Sequence, residues 1–228
     1  MNLAKQLVHS ALSMPDRPAV AIGERVLSDY RALAERVSRL GAAFREKLAL
    51  APGDRVALAM TNVPEYVEAL YAAWHAGLVA VPVNAKLHPR EIAYILENSG
   101  TRVCLTTANI GASLGGMVLP RSLERIIEVP SKEYVALNET DEMPVAERAA
   151  QDAAWLFYTS GTTGRPKGVI LTHRNLTMMT LCYFADVDSI KPGDSIIHAA
   201  PMSHGSGLYI LPHVAKAACN VVPESGGF

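Results

Sequence analysis

Three observations predict an α/β protein in which parallel-sheet-rich layers are flanked by helices. Between Arg55 and Thr107 the pattern runs strand, helix, strand, helix, strand. That order at this spacing requires crossover connections, which are right-handed and make the strands parallel. The runs RVALAM, LVAVPV and TRVCLTT are almost continuously apolar, as expected of strands covered on both faces. Gly77 and Gly100 each close a helical pattern just before the next strand, the usual place for a helix-ending glycine.

The elements follow in order. Leu3, Leu7, Val8 and Leu12 recur at helical spacing and predict a short first helix. PAVAIGERVLSDY reads as two strands around Gly23-Glu24, a hairpin signal. Ser28 is the candidate cap of a helix through Leu48, with Leu33, Val37, Leu40, Ala43 and Phe44 as its buried stripe. Pro52-Gly53-Asp54 turns the chain into RVALAM. Pro64 suits the first turn of PEYVEALYAAWHAG, where Tyr66, Tyr71 and Trp74 form one core-facing side. LVAVPV, the helix HPREIAYILENSG and TRVCLTT complete this first βαβ region, residues 1–108. Residues 109–151 form an irregular connection with one strand, ERIIEV, and an acidic segment, NETDEMPVAERAAQD. Residues 152–228 hold the strands WLFYT and VILTH, a helix from about Asn175 to Ala185, the strand SIIHAA, the loop PMSHGSG, a helix from Leu208 and the strand CNVVP. The sequence stops at PESGGF, directly after a strand. An α/β fold normally continues such a strand into a helix or a partner strand, so the expectation is a truncated fold.

Composition narrows the function. The 228 residues are 50% apolar and 19% charged, ordinary for a globular protein. A net charge of −1 gives no electrostatic footprint for nucleic acid, and no basic run suggests a membrane surface. The most apolar stretch, LYAAWHAGLVAVPV, is too short to span a bilayer. Cys104, Cys182 and Cys219 are odd in number and widely spaced, which argues against a disulfide framework or a zinc site and for a reducing cytoplasm. His198, His204 and His213 form no tight ligand pair. Ser203 and Ser206 lack the GxSxG context of an activated nucleophile. His75 and His173 read as structural.

The chemistry concentrates in WLFYTSGTTGRPKGVILTHRNL. Thr159, Ser160, Thr162 and Thr163 supply hydroxyls, while Gly161 and Gly164 let the backbone approach a ligand. Lys167 adds a compact positive charge beside Pro166. Consecutive N–H groups in such a turn form an anion nest. The Walker loop is excluded, because proline precedes the lysine, glycine follows it, and the continuation reads as a strand rather than a helix. The alternative is a Gly/Thr-rich hairpin turn with a solvated lysine.

The complete string TSGTTGRPKG resembles the phosphate-binding signature of the adenylate-forming (AMP-binding) superfamily, which includes acyl-CoA synthetases, luciferases and peptide-synthetase adenylation domains. LSDYRALAERVSRLGAAF, PGDRVALAMTNVPEYVEALYAAWHAGLVAVPVN and REIAYILENSGTRVCLTT look like the first half of that family's large N-terminal domain. PMSHGSGL resembles its second core motif. Within the superfamily the chain is most similar to acyl-CoA synthetases.

The resemblance implies a ligase that joins a carboxylic acid to the α-phosphate of ATP, releases pyrophosphate, and passes the acyl group to the CoA thiol. It assigns Thr159, Ser160, Gly161, Thr162, Thr163, Gly164 and Lys167 to the β- and γ-phosphates, with Mg²⁺ arriving on the ATP. His204 would line the acyl and CoA tunnel. The lysine that promotes adenylation, the ribose-binding aspartate and the small C-terminal domain have no counterpart in residues 1–228, so the chain alone is expected to be catalytically incomplete. A carrier-protein-loading domain and a non-catalytic nucleotide-binding or scaffold fragment remain as alternatives. A half-built pocket also favours self-association.

Overall fold

A computed structural model describes residues 1–159 and 166–226. The elements are α1 (Ala4–Ser13), β1 (Pro18–Ile22), β2 (Arg25–Asp29), α2 (Tyr30–Glu46), β3 (Arg55–Ala59), α3 (Glu65–His75), β4 (Val79–Pro82), α4 (Pro89–Ser99), β5 (Val103–Thr106), α5 (Ala108–Leu114), β6 (Arg125–Glu128), α6 (Lys132–Leu137), β7 (Ala153–Thr159), β8 (Lys167–Thr172), α7 (His173–Asp186), β9 (Ser195–Ile197), α8 (Gly205–Leu208), α9 (Ile210–Ala215) and β10 (Cys219–Val222).

The strands build two sheets, with orders β6-β5-β3-β4-β7-β8 and β2-β1-β10-β9. In the larger sheet every pairing is parallel except β7 with β8. Its side chains divide by the strand period of two. Val56, Leu58, Ala80, Val103 and Leu105 face the core shared with α2 and α3. Ala57, Ala59, Val81 and Cys104 face a second core shared with α4 and α5. Both faces are therefore dry, which is why these strands read as unbroken apolar runs.

The smaller sheet joins the two ends of the sequence: β1 runs parallel to β10, with Val20 opposite Asn220, while β2 adds as an antiparallel hairpin partner. Strand β9 lies on the other side of β10.

Local structure departs from expectation at four places. The 109–151 connection, expected to be irregular with one strand, also carries two short helices, most of α5 and all of α6, each with buried apolar residues such as Ile110, Leu114, Tyr134 and Leu137. The cap of α2 is Asp29, the last residue of β2, whose carboxylate accepts from the Ala32 N–H at 2.8 Å; Ser28 lies one position earlier in the strand, opposite Val20. An ionised carboxylate accepts this bond more strongly than a hydroxyl. Helix α3 is buried on all sides from Tyr66 to His75, not along one face. Its outer side is covered by the 138–146 segment, where Ala146 N–H donates to the His75 carbonyl and Met143 is tied to Ser38. Helix α7 begins at His173, earlier than expected, because Thr172 and Asn175 satisfy each other's backbone N–H groups in a capping box.

Among the described residues no helix is long and apolar enough to cross a membrane.

Candidate functional site

The hairpin β7–β8 carries the hydroxyl- and glycine-rich motif and is held by the core on one side. Trp155 is fully buried and lies 6.2 Å from Trp74, centroid to centroid. Trp74 Nε1–H donates to the Ala154 carbonyl at 2.7 Å, fastening β7 to α3. Ala80 pairs with Trp155, fixing the register against β4. At the open end Thr159 stands directly opposite Lys167 in the ladder. The chain therefore leaves and re-enters the sheet at neighbouring points, with a hydroxyl on one strand and an ammonium on the other.

Thr159 and Lys167 are exposed. Ser160, Gly161, Thr162, Thr163 and Gly164 lie outside the described residues. Gly168 has a packing role: a Cβ there would sit 3.0 Å from the Tyr158 ring. The Tyr158 hydroxyl donates to Asn98 Oδ1 at 2.7 Å, and burial raises its pKa. The absence of a side chain at Gly168 thus lets the Tyr158 ring lie across β8.

A cleft of about 290 Å³ opens at this end of the sheet. Pro82, Asn84, Glu91, Phe157, Thr159 and His204 are among its walls. The motif's first hydroxyl and the PMSHGSG histidine, 45 positions apart in the numbering (204 − 159), therefore face one cavity. His204 meets the edge of Phe157 with centroids 5.4 Å apart, and its Nδ1 shares a hydrogen bond with Ser203 Oγ at 3.0 Å. Burial lowers its pKa, so near neutral pH it is an uncharged ring able to donate and accept. The cleft offers apolar walls and a small set of hydrogen-bonding groups, the usual make-up of a small-molecule site.

Asn84, Glu91 and Phe157 were not singled out from the sequence. A signal was available: Asn84 follows the carboxyl end of β4, and Thr159 ends β7. In parallel sheets ligands bind beyond the carboxyl ends of the strands. Applied to β4, that rule points to Asn84.

Three further histidines, His198, His173 and His75, have interior roles. His198 is fully buried, with Ser206 Oγ 2.8 Å from Nδ1 and Asn220 Oδ1 3.1 Å from Nε2. Asn220 turns its amide N–H to the Ala19 carbonyl, so its oxygen accepts from His198 Nε2–H, and Nδ1 accepts from the serine. The order Ser–His–Asn resembles a nucleophile with its base, but this group lies inside the protein and ties the segment before His204 to β10 and β1. His173 is also fully buried, its Nδ1 accepting from the Leu3 N–H at 3.3 Å. His75 Nε2 lies 2.8 Å from the Met143 carbonyl.

These two sheets, flanked by helices and carrying a hydroxyl- and lysine-bearing hairpin at one edge, define an α/β fold with a cleft at the carboxyl ends of β4 and β7. The chain belongs to the AMP-binding enzyme family, whose match runs over residues 7–227. It is similar to a feruloyl-CoA synthase from Amycolatopsis sp, 35% identical over 211 residues that cover 92% of this chain and 41% of that protein. It is also similar to tyrocidine synthase 2 of Brevibacillus parabrevis, 32% identical over 199 residues, covering 87% of this chain and 5% of that protein. In fold it matches the crystal structure of a long-chain-fatty-acid–CoA ligase from Archaeoglobus fulgidus with a TM-score of 0.88 at 22% identity, over 100% of this chain and 48% of that one. The chain thus spans less than half the length of these relatives.

Proposed function

We propose that these residues form the N-terminal portion of an ATP-dependent acyl-CoA ligase that adenylates a carboxylic acid and transfers the acyl group to CoA. The observation that carries this reading is the single cleft onto which both Thr159 and His204 open, with Lys167 across the ladder from Thr159. The Thr159–Gly164 loop and Lys167 hold the β- and γ-phosphates of Mg²⁺-bound ATP. A carboxylate oxygen attacks the α-phosphorus, the bond to the β-phosphate breaks, and pyrophosphate leaves with the electron pair. The hydroxyl and ammonium groups stabilise the charge that collects on the departing group. His204 and Phe157 form the wall along which the acyl carbon and the incoming thiol meet. A neutral imidazole suits this place, because a standing positive charge beside an apolar acyl chain would cost desolvation energy. The protein works in the cytoplasm, and the group that promotes adenylation comes from outside residues 1–228.

The test is pyrophosphate exchange by the full-length enzyme, with wild-type and Lys167→Ala proteins. Because Lys167 is exposed, the substitution leaves the fold intact and slows exchange by roughly 10²-fold, the loss typical of removing one preorganised electrostatic contact. Exchange at the normal rate would refute the assignment.

A second reading is favoured by the similarity to tyrocidine synthase 2: the acyl-adenylate is passed to a carrier-protein thiol. Product formation that needs CoA supports the first reading. Adenylation without acyl-CoA formation supports the second. Failure of calorimetry to detect ATP–Mg²⁺ binding by the full-length protein would leave a scaffold role.

A further inference from the structure

Asn62 stands where the two sheets meet. It lies just beyond the carboxyl end of β3, and its side chain is 9% exposed. Its Nδ2 donates to the His198 carbonyl at 2.7 Å and to the Ala200 carbonyl at 2.8 Å. Its Oδ1 accepts from the Met202 N–H at 2.9 Å. One amide therefore satisfies three backbone groups of the irregular 198–202 segment, which leads directly into His204.

We propose that Asn62 is a positioning residue for His204: it locks the 198–202 segment onto the end of β3, so that the imidazole stays in the cleft it shares with Thr159 and Phe157. The inference rests on the reading of His204 as a wall of the acyl and thiol channel.

Three features make this amide a latch and not one bond among many. The segment has little backbone pairing of its own: His198 N–H reaches the Val221 carbonyl and Ala199 N–H the Ile197 carbonyl, both toward the smaller sheet. Pro201 brings no N–H at all. Among the described residues, the side-chain hydrogen bonds that join this segment to the larger sheet are those of Asn62.

The opposite side is closed. The Met202 side chain is fully buried, and its carbonyl oxygen passes so close to Gly207 that no Cβ fits there. The segment has no room to slide toward α8, and Asn62 holds it to the end of β3.

Finally, Phe157 belongs to β7 of the larger sheet, whereas His204 follows a segment that begins in the smaller one. Their edge contact at 5.4 Å survives only if the two sheets keep their separation at this point. Asn62 sets that separation with a side chain too short and too buried to swing. It thereby couples a loop on one sheet to a cleft built mainly by the other.

The test compares Asn62→Ala, and the milder Asn62→Ser, with wild type by NMR of the 228-residue chain and by kinetics of the full-length ligase. Asn62→Ala is expected to speed amide exchange at Met202 by about tenfold or more, the loss of one buried hydrogen bond. The His204 ring is expected to titrate nearer the ordinary imidazole value, because it leaves its half-buried position. The His173 ring, held by the Leu3 N–H and making no bond to Asn62, keeps its titration and reports that the interior is intact. Asn62→Ser, which keeps one hydroxyl at the site, falls between. In the ligase, KM for the acid and CoA rises while KM for ATP is unchanged.

A folded variant in which Met202 exchange and the His204 titration match wild type overturns the positioning role. Release of His204 with unaltered acid and CoA kinetics upholds the latch and instead overturns the reading of His204 as a channel wall.

Discussion

Between about pH 7.5 and about pH 5 the stability of this fold is expected to fall steeply, and two fully buried histidines contribute most to the fall. His198 and His173 are both fully buried. Burial is the main reason that the His198 pKa is pushed down to about 4; nearby His213 acts in the same direction, and the bond to Asn220 opposes it. Burial likewise brings His173 down to about 4, with help from Arg148 and the N-terminal ammonium and opposition from Asp152. In the unfolded chain each imidazole titrates near 6.5. Between those values the unfolded state binds more protons. The stabilisation is therefore complete above about pH 6.5 and is lost as the pH falls toward about 4. At about pH 5 each histidine has withdrawn roughly 2 kcal/mol, and the pair roughly 4 kcal/mol. That is a large share of the roughly 5–15 kcal/mol that holds a typical domain together.

The assay is urea unfolding followed by the fluorescence of Trp74 and Trp155, at both pH values. His198→Gln is expected to be less stable than wild type at neutral pH, since the Ser206 and Asn220 bonds are disturbed. Its stability should nevertheless change less with pH, by roughly 2 kcal/mol over the interval. His173→Gln should behave in the same way. If both variants retain the full wild-type pH dependence, the linkage argument is wrong.

Three further outcomes are expected. Gly207→Ala should cost at least roughly 2–3 kcal/mol in thermal or urea unfolding, because its methyl group would overlap the Met202 carbonyl and approach the Trp155 ring. Asp29→Ala should cost about 1 kcal/mol through loss of the α2 cap, while Ser28→Ala should be nearly neutral in the same melts; the reverse order would restore Ser28 as the cap. The edge strands expose Ile170 on β8 and Ile197 on β9, so the 228-residue chain should self-associate with rising concentration. Ile170→Lys should weaken that association in sedimentation velocity, and a concentration-independent monomer would contradict it.

Much of the fold was legible because its elements announce themselves locally. The alternation of apolar strands and capped helices from Arg55 to Thr106 is written in residues a few positions apart, where period and turn chemistry operate. The boundary of α2 was misread because Ser28 and Asp29 are both good caps and stand side by side. Only the backbone path, which leaves β2 at Asp29 and enters α2 at Tyr30, decides between them.

The site divides along a similar line. The motif from Thr159 to Lys167 and the histidine at 204 could be named from the sequence, since each sits in its own short string. That Thr159 and His204 open onto one cavity with Asn84 and Glu91 is a product of strand order, which brings β4 beside β7 and turns both carboxyl ends the same way. The union of β1 with β10, and the three bonds by which Asn62 holds the segment before His204, lie further still beyond local reading. Residues 62 and 202 are joined by a single buried amide, a contact with no period or spacing to betray it. The sequence by itself marked which residues are candidates for the chemistry, because propensity and motif are short-range properties. The tertiary structure decided which of them meet, because packing two sheets against shared helices is a long-range property of the whole chain.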